Sequence, residues 1–446
     1  MNEQTYISLY HSQANAIKQH AAQALNRLRD KALTCFEANG FPTKEDEAYR
    51  YSRLMDRLDF DYGFNINRLH FPVDSETFFR CHVSGIDAHV SFIINDQFQA
   101  RTKQPFPLPS GVIMCSLHEA SIRYADVLNS YLGKLSERTT DGFVAMNHLF
   151  AQDGYFLYVK KDTVSEQPLQ VINILRSNVG LMAHVHNVII IEAGAEVKLL
   201  VCDHAVDTVD FFANRLTEVF VAENAQFQYY TLENTHHRTH SLSRLFVRQE
   251  ASSRTVFSAI GLNNGVTRNH IEIDLNAPAS ETWMGGALVS SGEQQTENYT
   301  VIRHNAPNCH SNELFKYILN GASHGIFTGR IVVAKDAQGT VAYQTNRNIC
   351  LSDNTQVHAM PQLEIYADDV KCGHGATTGQ LDEKALLYMR SRGIDIDEAR
   401  LLLMMAFISE VVDRVELPSL RKSLHHLIEM RLRDRSIACS NCDTCD

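Results

Sequence analysis

The sequence predicts a mainly β protein, a parallel β-helix flanked by helical domains at its N- and C-terminal ends. Two observations carry this reading. From about residue 155 the chain becomes a run of short β-rich segments separated by Gly, Asn and Asp. Six of these segments share one form: "VIIIEAGAEVKLLV", "VFVAENAQFQYYTL", "LFVRQEASSRTVF", "IEIDLNAPASETW", "VIRHNAPNCHS" and "IVVAKDAQGTVAY". Each alternates apolar residues, turns at a small or polar residue, places an alanine and resumes as strand. The alanines are 195, 225, 251, 277, 306 and 337, with gaps of 30, 26, 26, 29 and 31 residues. Such a period signals coils stacked on one another, each burying its apolar face only against its neighbours. An antiparallel sandwich also has many short strands, but its turns recur about every 8–12 residues and give no reason for one alanine per coil.

The flanking elements follow in order. Residues 8–60 read as helix-rich, with apolar residues at helical spacing in "YHSQANAIKQHAAQALNRLRDKALTCFEANG" and a stop at Gly40 before Pro42. Between 60 and 150, "HVSFIIND" and "GVIMCSL" predict strands, whereas "EASIRYADVLNSYLGKL" and "DGFVAMNHLFAQ" predict helices. After Gly379 the pattern is helical again. "LDEKALLYMRSRG" opens on acidic residues near Asp382 and closes on Arg390, Arg392 and Gly393, in keeping with the helix dipole and the glycine stop. "DEARLLLMMAFISEVVDRV" predicts a second helix, and "PSLRKSLHHLIEMRLRD" a third with Pro418 in the first turn. A bundle in this position is expected to cap the end of the solenoid and to dock another protein on its remaining apolar surface. The expected organisation is therefore an N-terminal mixed domain over 1–105, a β-helix core over 106–378 with a helical lead-in to about 152, a C-terminal helical domain over 379–435, and a Cys-rich tail over 436–446.

Composition narrows the function classes. The 446-residue chain is 44% hydrophobic and 21% charged, an ordinary globular balance. Its net charge of −11 argues against nucleic-acid binding, which needs a basic surface. The N-terminal stretch lacks the apolar core of a signal peptide, and the longest apolar run, "LLLMMAFI", is far short of a membrane span. A cytoplasmic protein is expected, with neither membrane nor nucleic acid as partner. Three motif matches fail on context. "GASHG" (321–325) has a strand after it rather than the helix of a nucleophile elbow, so Ser323 and His324 read as turn residues. "GHGATTG" has the wrong glycine spacing for a dinucleotide site, and "YLGKLS" is not a P-loop. The histidines in "NTHHRTH" (236, 237, 240) and "LHHL" (425, 426) read as solvent-facing residues on turns and a helix.

Ten cysteines are present; Cys35, Cys81, Cys115, Cys202, Cys309 and Cys350 sit among apolar neighbours and read as reduced, buried small side chains. The other four suggest chemistry. In "DDVKCGHGATTGQLDE" (368–383), Cys372 and His374 stand two residues apart between glycines. In extended backbone they project to one face, and both are good ligands for zinc or iron. Gly373 and Gly375 let a partner surface come close. Asp368, Asp369 and Lys371 would influence the thiol in opposite directions. Alternatively, Cys372 is a buried apolar residue and His374 caps the next helix. Two ligands make half a site, to be completed from elsewhere in the fold or from a second chain. The tail "ACSNCDTCD" carries Cys439, Cys442 and Cys445, three thiolates at a spacing that can hold a metal or part of a cluster with a fourth ligand from elsewhere. The other reading of the tail is an untethered terminus with incidental thiols.

The stretch "LEIYADDVKCGHGATTGQLDEKALLYMRSRGI" closely resembles the C-terminal signature of the SufB/SufD family of iron–sulfur cluster assembly proteins. "GIFTGRIVVAKDAQGTVAYQTNRNICLS" (325–352) is similar to the preceding family segment, including Gln344, Asn346, Asn348 and Ser352. "GFPTKEDEAYRYSRL" (40–54) and "FVAMNHLFAQDG" (143–154) also fit, with Tyr49 standing where the family pattern suggests tryptophan. The compact length, the N-terminal motif and the Cys-x-His pair resemble the SufD side of the family. That resemblance implies a right-handed parallel β-helix, a heterodimer with SufB, and docking of the ABC-type ATPase SufC on the C-terminal helical domain. It implies a non-enzymatic scaffold on which an iron–sulfur cluster forms transiently at the SufB–SufD interface. There His374 would be a ligand and Cys372 its supporting neighbour, with SufB supplying the rest. No cofactor is expected on the isolated chain, and a homodimer through the same surface is a further possibility. From a different class, a solitary β-helix enzyme acting on polysaccharide would need carboxylates and basic residues gathered along one face of the coils, which the repeat does not display.

Overall fold

The computed structural model describes residues 3–71, 86–100 and 106–433. The N-terminal part contributes helices α1 (Glu3–His20) and α2 (Arg29–Asn39) and strands β1 (Gly63–Phe64), β2 (His89–Ile94), β3 (Gln97–Ala100) and β4 (Val112–Ser116). Helices α3 (Leu117–Arg123), α4 (Ala125–Tyr131) and α5 (Gly142–Phe150) lead into the coils. The first coils are built from β5 (Tyr155–Val159), β6 (Leu169–Leu175), β7 (Leu181–Ile191), β8 (Glu196–Ala205), β9 (Phe211–Val221), β10 (Gln226–Asn234), β11 (Thr239–Gln249) and β12 (Arg254–Asn263). The later coils use β13 (Val266–Leu275), β14 (Glu281–Ser290), β15 (Gln295–His304), β16 (His310–Leu319), β17 (His324–Val333), β18 (Thr340–Cys350), β19 (Gln356–Ile365) and β20 (Val370–Gly379). Helices α6 (Glu383–Ser391), α7 (Ile396–Val412) and α8 (Pro418–Leu432) follow.

From β5 onward successive strands alternate between two sheets. Odd strands run parallel in the order β5 to β19 and even strands in the order β6 to β20. Leu181 pairs with Phe211 and Glu196 with Gln226, so each coil consumes close to one sequence period. The predicted parallel β-helix is the observed fold. Between the sheets lies one apolar core, including Val171, Leu199, Val219, Phe257, Ile273 and Phe315.

The turn that opens each even strand explains the repeat. Backbone hydrogen bonds stack Ala195, Ala225, Ser253, Ser280 and Cys309 in one column, and the strand register continues it to Thr340. All six are 0% exposed. The preceding residue is left-handed at every level: Gly194, Asn224, Ser252, Ala279, Asn308 and Gly339 have φ between 54° and 71°. A left-handed residue reverses the chain, and only a small side chain fits behind it where coils stack. The sequence repeat had the right period but a drifting register. Alanines 277, 306 and 337 sit three residues before the column, and Ala251 sits two before it.

The helices lie against the flanks of the solenoid. Tyr6, Tyr10, Phe36, Phe41, Phe143 and Phe150 form a core with Met182, Phe212 and Leu242 from the outer face of the odd sheet. On the other flank, Met404, Ile408, Val411 and Val412 of α7 pack with Leu200, Tyr230, Val256, Leu314 and Ile318 from the even sheet. The C-terminal helices therefore do not cap the end of the solenoid, as their position in sequence suggests. The even strands carry apolar residues on their outer face as well, and that strip draws the helices alongside. Strands β19 and β20 each pair on one side only. Among the described residues nothing pairs with the far side of the last coil.

Candidate functional site at the open end of the solenoid

The open coil carries Cys372 and His374 on β20. Cys372 pairs with Ala342 of β18 and His374 with Gln344. Ala342 is a core residue, and Cys372 packs against the same cluster, so its side chain points inward. His374, two residues on, shares that face. The thiol is half-buried, while the imidazole is exposed at the rim. Burial pushes the Cys372 thiol above its usual value, opposed by a backbone hydrogen bond with Ala342. A raised thiol is poorly suited to serve as a free thiolate. Within the chain nothing demands glycine beside His374: a Cβ at 375 meets nothing within 4 Å, and one at 373 makes an ordinary 3.4 Å contact with the Tyr343 ring. The alternative in which His374 caps the following helix does not hold. Asp382 does so, its carboxylate accepting from the Lys384 and Ala385 amides at 2.9 and 3.3 Å.

Among the described residues no third Cys, His, Asp or Glu joins the pair to form a metal-binding group. Cys439, Cys442 and Cys445 lie outside the described residues, as does Cys81. Of the scattered cysteines, Cys115, Cys202 and Cys309 are buried, while Cys35 and Cys350 are partly exposed. Ser323 falls in a turn and His324 begins β17, where its ring nitrogen meets Arg53 at 3.1 Å. "GHGATTG" is strand. Of the histidines of "NTHHRTH", His237 is exposed on a turn as expected, whereas His240 is buried and its Nδ1 accepts from the Val266 amide at 3.1 Å.

Beneath the pair lies a polar layer whose interior placement sequence reasoning did not foresee, although three of its residues belong to the family segment. Glu313, Gln344, Asn346 and Asn348 are buried. Gln344 donates through Nε2 to Glu313 Oε2 at 2.6 Å, and Asn348 donates through Nδ2 to Asn346 Oδ1 at 2.7 Å. Burial pushes the Glu313 carboxyl up to about 7. The signal was the alternation in "QTNRN": the amides occupy every second position, and the flanking Arg347 faces out to Glu410 of α7 at 3.4 Å. Amides at period two usually mark the solvent face of a strand, and here they mark the interior. Ser352 closes a turn, accepting from the Gly321 amide at 3.0 Å and donating to Asn320 Oδ1 at 2.5 Å.

The outer face of the odd sheet does gather charged groups, contrary to the reading of the repeat. They are paired with one another rather than poised for catalysis. Arg303 bridges Glu272 at 2.7 Å and Asp274 at 3.1 Å, and Arg138 reaches Asp274 at 3.0 Å. Despite burial, His270 and Arg303 hold Glu272 down at about 2. A general acid for glycoside cleavage needs the opposite shift.

Comparison with known proteins agrees with this architecture. Residues 174–407 match the family model described as SUF system FeS cluster assembly, SufBD core domain. The chain belongs to the SufBD family. Residues 1–171 match the SufBD protein N-terminal region. A SufBD family iron–sulfur cluster assembly protein of Synechocystis sp. is 26% identical over 428 residues, covering 93% of this chain and 90% of that protein. The iron–sulfur cluster assembly protein SufD of Escherichia coli is 31% identical over 301 residues, covering 65% and 69%. SufD of Bacillus subtilis is 28% identical over 334 residues, covering 72% and 74%. The SufBD assignment directs attention to cluster assembly rather than to saccharide chemistry. No described helix is long and apolar enough to cross a membrane.

Proposed function

We propose that this chain is a non-enzymatic, cytoplasmic scaffold subunit of a SUF assembly complex, pairing with SufB through the open end of its solenoid. The observation that carries the reading is a Cys-x-His pair on a strand whose outer edge is unpaired among the described residues. His374 and Cys372 stand on β20, whose free backbone edge can accept a partner strand, and the glycines beside them have no internal reason to be bare. The nascent iron–sulfur cluster is the cargo, held transiently. His374 supplies one ligand, Cys372 supports it, and SufB provides the others. The C-terminal helical domain docks SufC, a role to which the exposed Leu387 and Tyr388 of α6 are suited, at 68% and 60% exposure. The cysteine tail assists iron or cluster transfer in this reading, and its deletion should lower metal uptake.

The test is anaerobic affinity capture of the full chain from its host. Recovery of an ABC-type ATPase together with a paralogous β-helix protein is expected. Recovery of this chain alone or as a homodimer, with no such ATPase, would overturn the shared-site reading while leaving the fold intact.

A further inference from the structure

The polar layer beneath the rim contains an unexplained orphan. Gln344 is 0% exposed, yet its Oε1 has no hydrogen-bond partner. Its orientation is fixed from the other end, because Nε2 is given to Glu313. The opposite sheet leaves room for it: a side chain at Gly329 would overlap the Gln344 amide. A buried amide oxygen left unpaired is costly. A donor reaching in from the rim would remove that cost.

Two neighbouring donors in the layer are committed elsewhere, while the Thr300 hydroxyl, buried without a hydrogen-bond partner, lies beside Glu313. Asn346 gives its Nδ2 to the Phe315 carbonyl at 3.4 Å, and Asn348 gives its own to Asn346. His374 is the register partner of Gln344 on the next strand and shares its inward face. Adjacent strands lie about 4.8 Å apart, which puts an imidazole N–H within reach of the amide oxygen by a rotamer change alone. A histidine that ligates a metal almost always gives its second ring nitrogen to such an acceptor, which fixes its tautomer and aim.

We infer that Gln344 is a positioning residue for His374: its Oε1 accepts one ring N–H, so that the other ring nitrogen is unprotonated and directed out of the solenoid toward the partner. Glu313 acts one step behind, holding the amide so that its oxygen faces the histidine. The inference rests on the proposed role of His374 and adds the group that prepares it.

The first experiment needs no variant at Gln344. With the full chain labelled at histidine nitrogens, the His374 ring, assigned by its loss in His374→Ala, should show a single neutral tautomer with a hydrogen-bonded N–H near pH 8. A rapidly averaging, solvent-like ring would overturn the inference. The second uses the complex with its co-captured partners. Gln344→Met keeps the length and removes the acceptor; it should leave partner capture unchanged, mix the tautomers and lower cluster occupancy by about tenfold or more. Gln344→Glu, which keeps an acceptor, should restore most of it. If His374→Ala abolishes the cluster and Gln344→Met leaves occupancy and tautomer unchanged, this inference fails alone. If His374→Ala also leaves the cluster intact, the proposed site itself fails.

Discussion

Tyr49 illustrates how single side chains lock the N-terminal region onto the coils. Its hydroxyl donates to Asp141 at 2.7 Å, Arg244 joins the same carboxylate, and Arg268 lies 4.0 Å over its ring. Arg268 in turn pairs with Glu297 at 2.7 Å. A tryptophan, which the family pattern suggests here, would supply the ring but no hydroxyl. Tyr49→Phe should therefore lower stability by about 1–2 kcal/mol, read as a shift in denaturation midpoint with an unchanged slope; no shift would mean that Arg244 alone satisfies Asp141. Glu313 yields a pH-dependent expectation. Its folded-state value of about 7 lies above the ordinary 4.5, so folding favours the protonated form. The resulting stability is fully present below about pH 4.5 and is lost as pH rises through 7. Glu313→Gln should be close to neutral at pH 5 and stabilising at pH 8, by on the order of 2 kcal/mol. An equal effect at both pH values would contradict the assigned burial of the carboxyl.

At the level of elements, α7 is joined to the even sheet by more than apolar contact. The nearly buried Lys316 of β16 gives its ammonium to the Phe407 carbonyl at 2.8 Å and to Glu410, which also receives Arg347 of β18. These two strands carry Glu313 and Gln344 on their inner faces. The C-terminal helices are thus tied to the strands that floor the candidate site. Glu410→Ala should cost about 1–2 kcal/mol by leaving the Lys316 charge with only the Phe407 carbonyl and ring. It should also raise amide hydrogen exchange across α7 more than across α2. Uniform exchange would show that the apolar strip alone holds the helix. This arrangement was only partly legible in sequence. Helix limits at Gly40 and Asp382 follow from capping chemistry, which is local. That α7 lies beside the coils depends on outward residues of strands such as Leu200 and Ile318, which a one-dimensional apolar pattern cannot assign to either face.

For the whole molecule, the period of the solenoid could be read because each coil must repeat a left-handed turn followed by a small residue. The register could not, because Ser253, Ser280, Cys309 and Thr340 satisfy the same steric demand as alanine. The Cys-x-His pair was visible from ligand chemistry and resemblance. Its inward direction and the amides beneath it required strand pairing. If this edge bears half of a shared cluster site, cluster content in the complex depends on His374. The most direct measurement is iron and acid-labile sulfide content, with the visible absorption spectrum, of the anaerobically captured complex carrying either the native chain or His374→Ala. The account expects equal recovery of the partner proteins from both and loss of most cluster absorption and sulfide from the variant. Full cluster content in the His374→Ala complex would contradict it.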